Sequence, residues 1–173
     1  MKKAFADMAR SLGLMAVVLG VVLFIGARYL LDPSSADRMP AADYSSVLQA
    51  FGDEARQPAF APHGLPANWR ANATRLVNPA AGVVQMHVGW AVPGSRYAGL
   101  DESDGADEAV VDAVLGQAGR AVRGQADIDG VAWEVRTSNR GETAFTRTAG
   151  RVFVLVTGNA TNAELRTLAG SLR

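Results

Sequence analysis

Two histidines, an acidic run and three tryptophans are the side chains of this sequence with the clearest chemical potential. Imidazoles move protons near neutral pH and ligate zinc, but His63 and His87 stand 24 residues apart with no H-E-x-x-H or comparable spacing between them. The run Asp101, Glu102, Asp104, Asp107, Glu108 and Asp112 sets six acids together without a base. Calcium would need several such oxygens, yet the spacing does not follow a calcium loop. The plainer reading is a helix N-terminus, where acids complement the dipole and cap free N–H groups. Trp69, Trp90 and Trp133 could line a ligand groove, although Trp90 and Trp133 fall on apolar strand faces and read as core. No residue is assigned a catalytic, cofactor-binding or metal-ligating role, and no cofactor is expected.

Several chemistries are excluded outright. There is no cysteine, hence no disulfide, thiolate ligand or thiol nucleophile. No lysine follows Lys3, so the body of the chain has neither a Walker-type phosphate loop nor a Schiff-base lysine. No G-x-S-x-G elbow and no G-x-G-x-x-G fingerprint occurs. Carboxylate acid–base pairs leave no such signature, because their partners meet only in the fold.

The elements that must position any site begin with an anchor. Ser11 to Ala27 is uncharged throughout, and extension to Leu31 gives a helix of about 20 residues, ~30 Å long, which matches a hydrocarbon core. The expected organisation is a cytoplasmic N-terminus over 1–11, a transmembrane helix over 12–31 in the lipid bilayer, a Pro- and Ser-bearing linker over 32–42 and an extracytoplasmic domain over 43–173. Lys2, Lys3 and Arg10 precede the span and set its direction, positive side inward. Arg28 and Tyr29 suit the outer interface. A cleaved signal peptide ending at Ile25-Gly26-Ala27 is the rival reading, and the long apolar run and bulky residue at −3 argue against it. The first 31 residues carry a net +3 and the rest −3, so the domain lacks the basic footprint of a nucleic-acid binder.

Within the domain, Asp43 can cap a helix with Tyr44, Val47, Leu48 and Phe51 on one face, and Pro58 stops it. A Pro-rich loop runs from Phe60 to Trp69. Strands are predicted over Arg70–Val77, Val83–Val92 and Arg96–Leu100, the second with Val84, Met86, Val88, Trp90 and Val92 alternating onto one face. A helix follows over Asp104–Ala118. Three further strands are expected near Val131–Val135, Thr143–Thr148 and Arg151–Thr157, the last apolar on both faces as a central strand should be. Thr161 and Glu164 form a capping box that opens a final helix. The sum is an α+β domain with a mainly antiparallel six-stranded sheet packed by about three helices.

The stretches GLPANW at 64–69, HVGWAVPGSRYAGLDESD at 87–104 and VLVTGNATNAELRTLAGSL at 154–172 resemble an actinobacterial family named only as domain of unknown function 4245. Gly89-Trp90 and the segment from Tyr97 to Ser103 are its most specific motifs. The resemblance implies a single-span protein of the cell envelope and brings no activity with it. The leading expectation is a non-enzymatic binding or scaffolding module whose partner is an envelope protein or cell-wall component. The alternative is a membrane-tethered hydrolase acting on cell-wall material with Asp/Glu acid–base residues. A third reading, in which the span itself pairs with other spans, is weak because its glycines miss the i, i+4 spacing.

Overall fold

Strand register explains how this sequence brings distant polar residues together. The computed structural model describes residues 42–80, 82–105 and 107–173. The expected span over 12–31 and its flanks lie outside the described residues, and no described helix is long and apolar enough to cross a membrane. The described residues form one compact unit.

Helix α1 spans Ser45–Ala55. The N-cap is Tyr44, one residue later than the expected Asp43, whose carboxylate accepts the Ser45 backbone N–H at 2.9 Å from just outside the helix. Arg56, left-handed at φ 55°, ends the helix. Strands β1 (Arg70–Ala80), β2 (Val83–Val92) and β3 (Arg96–Asp104) follow as an antiparallel meander. Helix α2 (Asp107–Leu115) and a 3-10 turn (Gln117–Arg120) then carry the chain across the sheet. Strands β4 (Gly124–Ile128), β5 (Val131–Thr137), β6 (Thr143–Ala149) and β7 (Val152–Thr157) return as a second meander. Helix α3 (Asn162–Ser171) closes the domain behind the expected Thr161–Glu164 capping box.

The two meanders join where β3 pairs with β7, which gives one antiparallel sheet in the order β1-β2-β3-β7-β6-β5-β4. The α+β class stands; the sheet has seven strands, not six. The additional strand is β4, whose sequence Gly-Gln-Ala-Asp-Ile holds a single strong β-former. Its hairpin to β5 turns at Asp129-Gly130, both at positive φ, a dipeptide that suits the type I′ twist. Strand β3 also runs four residues past Leu100, and α2 starts later than the expected Asp104. The acidic run is therefore divided. Asp107 and Glu108 occupy the first turn of α2 as acids should. Asp101, Glu102 and Asp104 are strand residues and are buried.

The sheet is covered on both faces. On the first, Val47 and Phe51 of α1 and Leu165, Leu168 and Ala169 of α3 pack on Met86, Val88, Trp90, Leu100, Val154 and Val156. Without a cysteine, this burial holds the domain, each fully buried aliphatic side chain contributing about 1.5–3 kcal/mol. Trp90 and Trp133 both lie in this core, as expected. On the second face, Val110, Val111 and Leu115 of α2 pack on Ala144, Phe153 and Leu155. No described helix lies over β1 and β2 on that second face, and the polar side of β2 opens there.

Candidate functional site

Pairing across the first meander decides which polar residues share the open face. Arg75 of β1 stands opposite His87 of β2, and His87 stands opposite Asp101 of β3. Directly paired residues point to the same side of an antiparallel sheet, so all three form one row on the second face. The neighbouring row holds Ala73, Gly89 and Gly99. Beyond it, Tyr97 has no side chain to stand against and lies across both glycines. A Cβ at Gly89 would collide with the Tyr97 hydroxyl, and one at Gly99 would come within 3.1 Å of the Tyr97 ring and 3.2 Å of the His87 ring.

Tyr97 thereby reaches His87, its hydroxyl 2.6 Å from Nε2. On the other side of the imidazole, Nδ1 lies 3.0 Å from Asp101 Oδ1. A carboxylate can only accept, so Nδ1 carries a proton, and in the neutral imidazole Nε2 then accepts from the Tyr97 O–H. The result is a chain of hydrogen bonds from the phenol through the imidazole to the carboxylate. Asp101 is 1% exposed and His87 21%, so the chain runs from the interior to a wetted surface.

The Tyr97 backbone is held as closely as its ring. Its N–H donates to Asn159 Oδ1 at 2.6 Å, and its carbonyl accepts from the Ala160 N–H at 3.0 Å. Gly158, at φ 149°, passes so near that carbonyl that a Cβ would meet it. Gly158→Ala is expected to lower stability by at least ~2 kcal/mol, through backbone strain and a clash that no rotamer relieves. Chemical denaturation of the two proteins measures it.

Burial first, and the Asp101 charge second, push the Tyr97 hydroxyl up to about 12, against a smaller opposing effect from Arg75. Tyr97 therefore stays a neutral donor across the physiological range and is no phenolate nucleophile. The chain has three tyrosines, Tyr29, Tyr44 and Tyr97. Ultraviolet titration should show one that keeps its proton past the ordinary range near 10. Tyr97→Phe should remove that late step; its persistence would show that the shifted group lies elsewhere.

The polar chain opens into a cavity of about 450 Å³, bordered also by Arg75, Glu142, Asn159 and Val114 of α2. Behind its wall, Asp101 Oδ2 is buried and has no hydrogen-bond partner among the described residues, while Oδ1 receives His87 and, at 3.5 Å, Gln85 Nε2. An unpaired buried carboxylate oxygen costs more than a neutral polar atom would, which marks a place arranged for something other than stability. Among the described residues the Arg75 side chain has no ion pair or hydrogen bond.

Other polar features have structural explanations. A cleft of about 520 Å³ between α2 and β5–β6 is lined in part by charges tied to neighbouring groups, while Arg147 there lies over the Phe60 and Trp133 rings. Arg136 binds Glu134 at 2.7 Å and donates to the Gly119 and Arg120 carbonyls at 3.0 Å, Arg120 pairs with Asp112, and Asp107 receives the Thr148 hydroxyl. His63 borders a separate shallow cavity beside α3, so the two histidines do not meet. No three His, Cys, Asp or Glu side chains converge as metal ligands among the described residues.

Sequence reasoning placed His87 correctly on the polar side of β2 but gave it no partner. Asp101 was hidden by its assignment to a helix start, and Tyr97 by the absence of any motif for a residue that lies over two glycines. The sequence model of the family described as Protein of unknown function (DUF4245) matches residues 1–172, and the chain belongs to that family. No curated protein matches it. The resembling stretches HVGW and YAGLDESD are the two strands that build this site.

Proposed function

We propose that this family member is a membrane-anchored extracytoplasmic binding module that holds a small polar ligand in the pocket formed by Arg75, His87, Tyr97 and Asp101. The carrying observation is the Tyr97–His87–Asp101 chain, which borders an open cavity and is backed by a buried carboxylate oxygen without a hydrogen-bond partner among the described residues. Binding is favoured over turnover because the acids near the pocket are committed: Asp101 to His87, and Glu142 to Ser138 and, at 3.7 Å, Arg140. A glycosidase-type mechanism needs two free carboxyl groups facing one scissile bond.

The address rests on the uncharged run from Ser11 to Ala27 and the cations before it. Because the protein has no cysteine, one introduced thiol reports one position. Ser46→Cys should react with a membrane-impermeant maleimide on intact cells, and Ala6→Cys only after lysis; the reverse pattern would overturn the orientation. For the pocket, cocktails of neutral, cationic and anionic fragments added to the full chain in micelles should shift NMR signals of Arg75, His87 and Tyr97. Shifts confined to other residues would overturn the binding site.

A further inference from the structure

We propose that the pocket binds a small carboxylate monoanion and takes up one proton at His87 as it does so. The inference rests on the binding reading above and adds the ligand class and its coupling to pH. Arg75 supplies the recognition: a guanidinium on the pocket wall, without an ion pair among the described residues, in the same row as His87. A planar fork of this kind pairs bidentately with a carboxylate.

Charge balance selects the monoanion. The groups facing His87 are Asp101 and Tyr97 from β3, Arg75 from β1, and Arg140 and Glu142 from the β5–β6 connection, while α2 contributes only the apolar Ala113 and Val114. Two arginines and two acids cancel, and Tyr97 is neutral. Protonation of His87 would leave one positive charge, which one carboxylate neutralises and a dianion exceeds.

The hydrogen-bond chain shows where the proton goes. While His87 is neutral the Tyr97 O–H is spent on Nε2. When solvent supplies a proton to Nε2, the imidazolium donates through Nδ1 to Asp101 and through Nε2 to the Tyr97 oxygen. The Tyr97 O–H is then released to turn toward the incoming carboxylate beside Arg75. Asp101, buried and paired only on Oδ1, is positioned to hold the imidazolium. Arrival of the anion and of the proton therefore favour each other.

Calorimetry on the full chain in detergent micelles tests this, in buffers of differing ionisation enthalpy. The probes are acetate as a free small acid, acetyl-alanine as a mimic of a peptide end, the neutral methylamide of acetyl-alanine, and inorganic phosphate. Acetate or acetyl-alanine should bind with uptake of one proton, the tighter of the two identifying the source. Affinity should fall as pH rises, by up to tenfold per pH unit. His87→Gln, which keeps a polar side chain but cannot charge, should make binding independent of pH. Arg75→Gln should weaken it about tenfold or more. Equal binding of the methylamide, or tighter binding of phosphate, would overturn the ligand class. Binding without proton uptake, or an unchanged pH slope in His87→Gln, would overturn the coupling. If neither acid binds, the inference fails, and the fragment mapping alone decides whether the pocket binds anything.

Discussion

Glu102→Gln is expected to abolish most of a stability loss that the wild-type protein suffers as pH rises. Glu102 is fully buried on the first face of the sheet, opposite Met86 and Val154, among apolar side chains. Burial pushes its carboxyl up to about 8, and the Phe60 N–H, which it accepts at 3.1 Å on both oxygens, and the more distant Arg147 charge recover only part of the cost. Arg147 sits two strands away in the same row, about 10 Å across the sheet, and turns its guanidinium to the rings of Phe60 at 4.6 Å and Trp133 at 4.8 Å instead.

The folded state thus keeps a proton that the unfolded chain releases near 4.5. Stability from this group is complete below that value, declines as pH rises, and levels off above about 8, with a total loss of several kcal/mol. Glutamine keeps an acceptor for Phe60 and has nothing to ionise. The variant should match wild type within ~1 kcal/mol near pH 5 and exceed it clearly at pH 9. Melting temperatures across this range measure the difference, and parallel pH curves for the two proteins would refute the assignment.

The second large effect belongs to Gly89→Ala. One methyl group occupies the space through which Tyr97 reaches His87. The obstructed atoms are the end of a side chain, so Tyr97 can swing outward and the sheet survives, at about 1–3 kcal/mol for the lost packing and overcrowding. The phenol–imidazole hydrogen bond should disappear, the imidazole Nε2 should become solvent-exposed in 15N NMR, and pocket ligands should weaken at least ~10-fold. A variant that kept the wild-type imidazole signals would show that the glycine floor is not what places Tyr97.

Much of this molecule can be read from its residues. The alternation in β2, the two-sided apolar run of β7 and the Thr161–Glu164 box each specify one local structure, and each forms as expected. Strand β4 escaped because its single Ile and exposed polar residues carry little pattern, although Asp129-Gly130 is a strong hairpin signal. The turn at Pro93-Gly94-Ser95 pairs Val92 with Arg96, and counting back along both strands sets Gly89 against Gly99 and His87 against Asp101. A run of acids reads as a helix N-terminus, whereas here three of them are strand residues shielded from water. The location of Arg75 could not be counted in the same way, because β1 is bulged between Ala71 and Ala73 and again between Val77 and Ala80.

The central claim is that Arg75, His87, Tyr97 and Asp101 form the working site of this domain. NMR titration of wild type and Gly89→Ala with acetyl-alanine tests it most directly. Signals of Arg75, His87, Tyr97 and Asn159 should shift together in the wild type and should need at least ~10-fold more ligand for the same shift in the variant. Shifts of equal size in both proteins, or shifts centred on the cleft between α2 and β5, would contradict it.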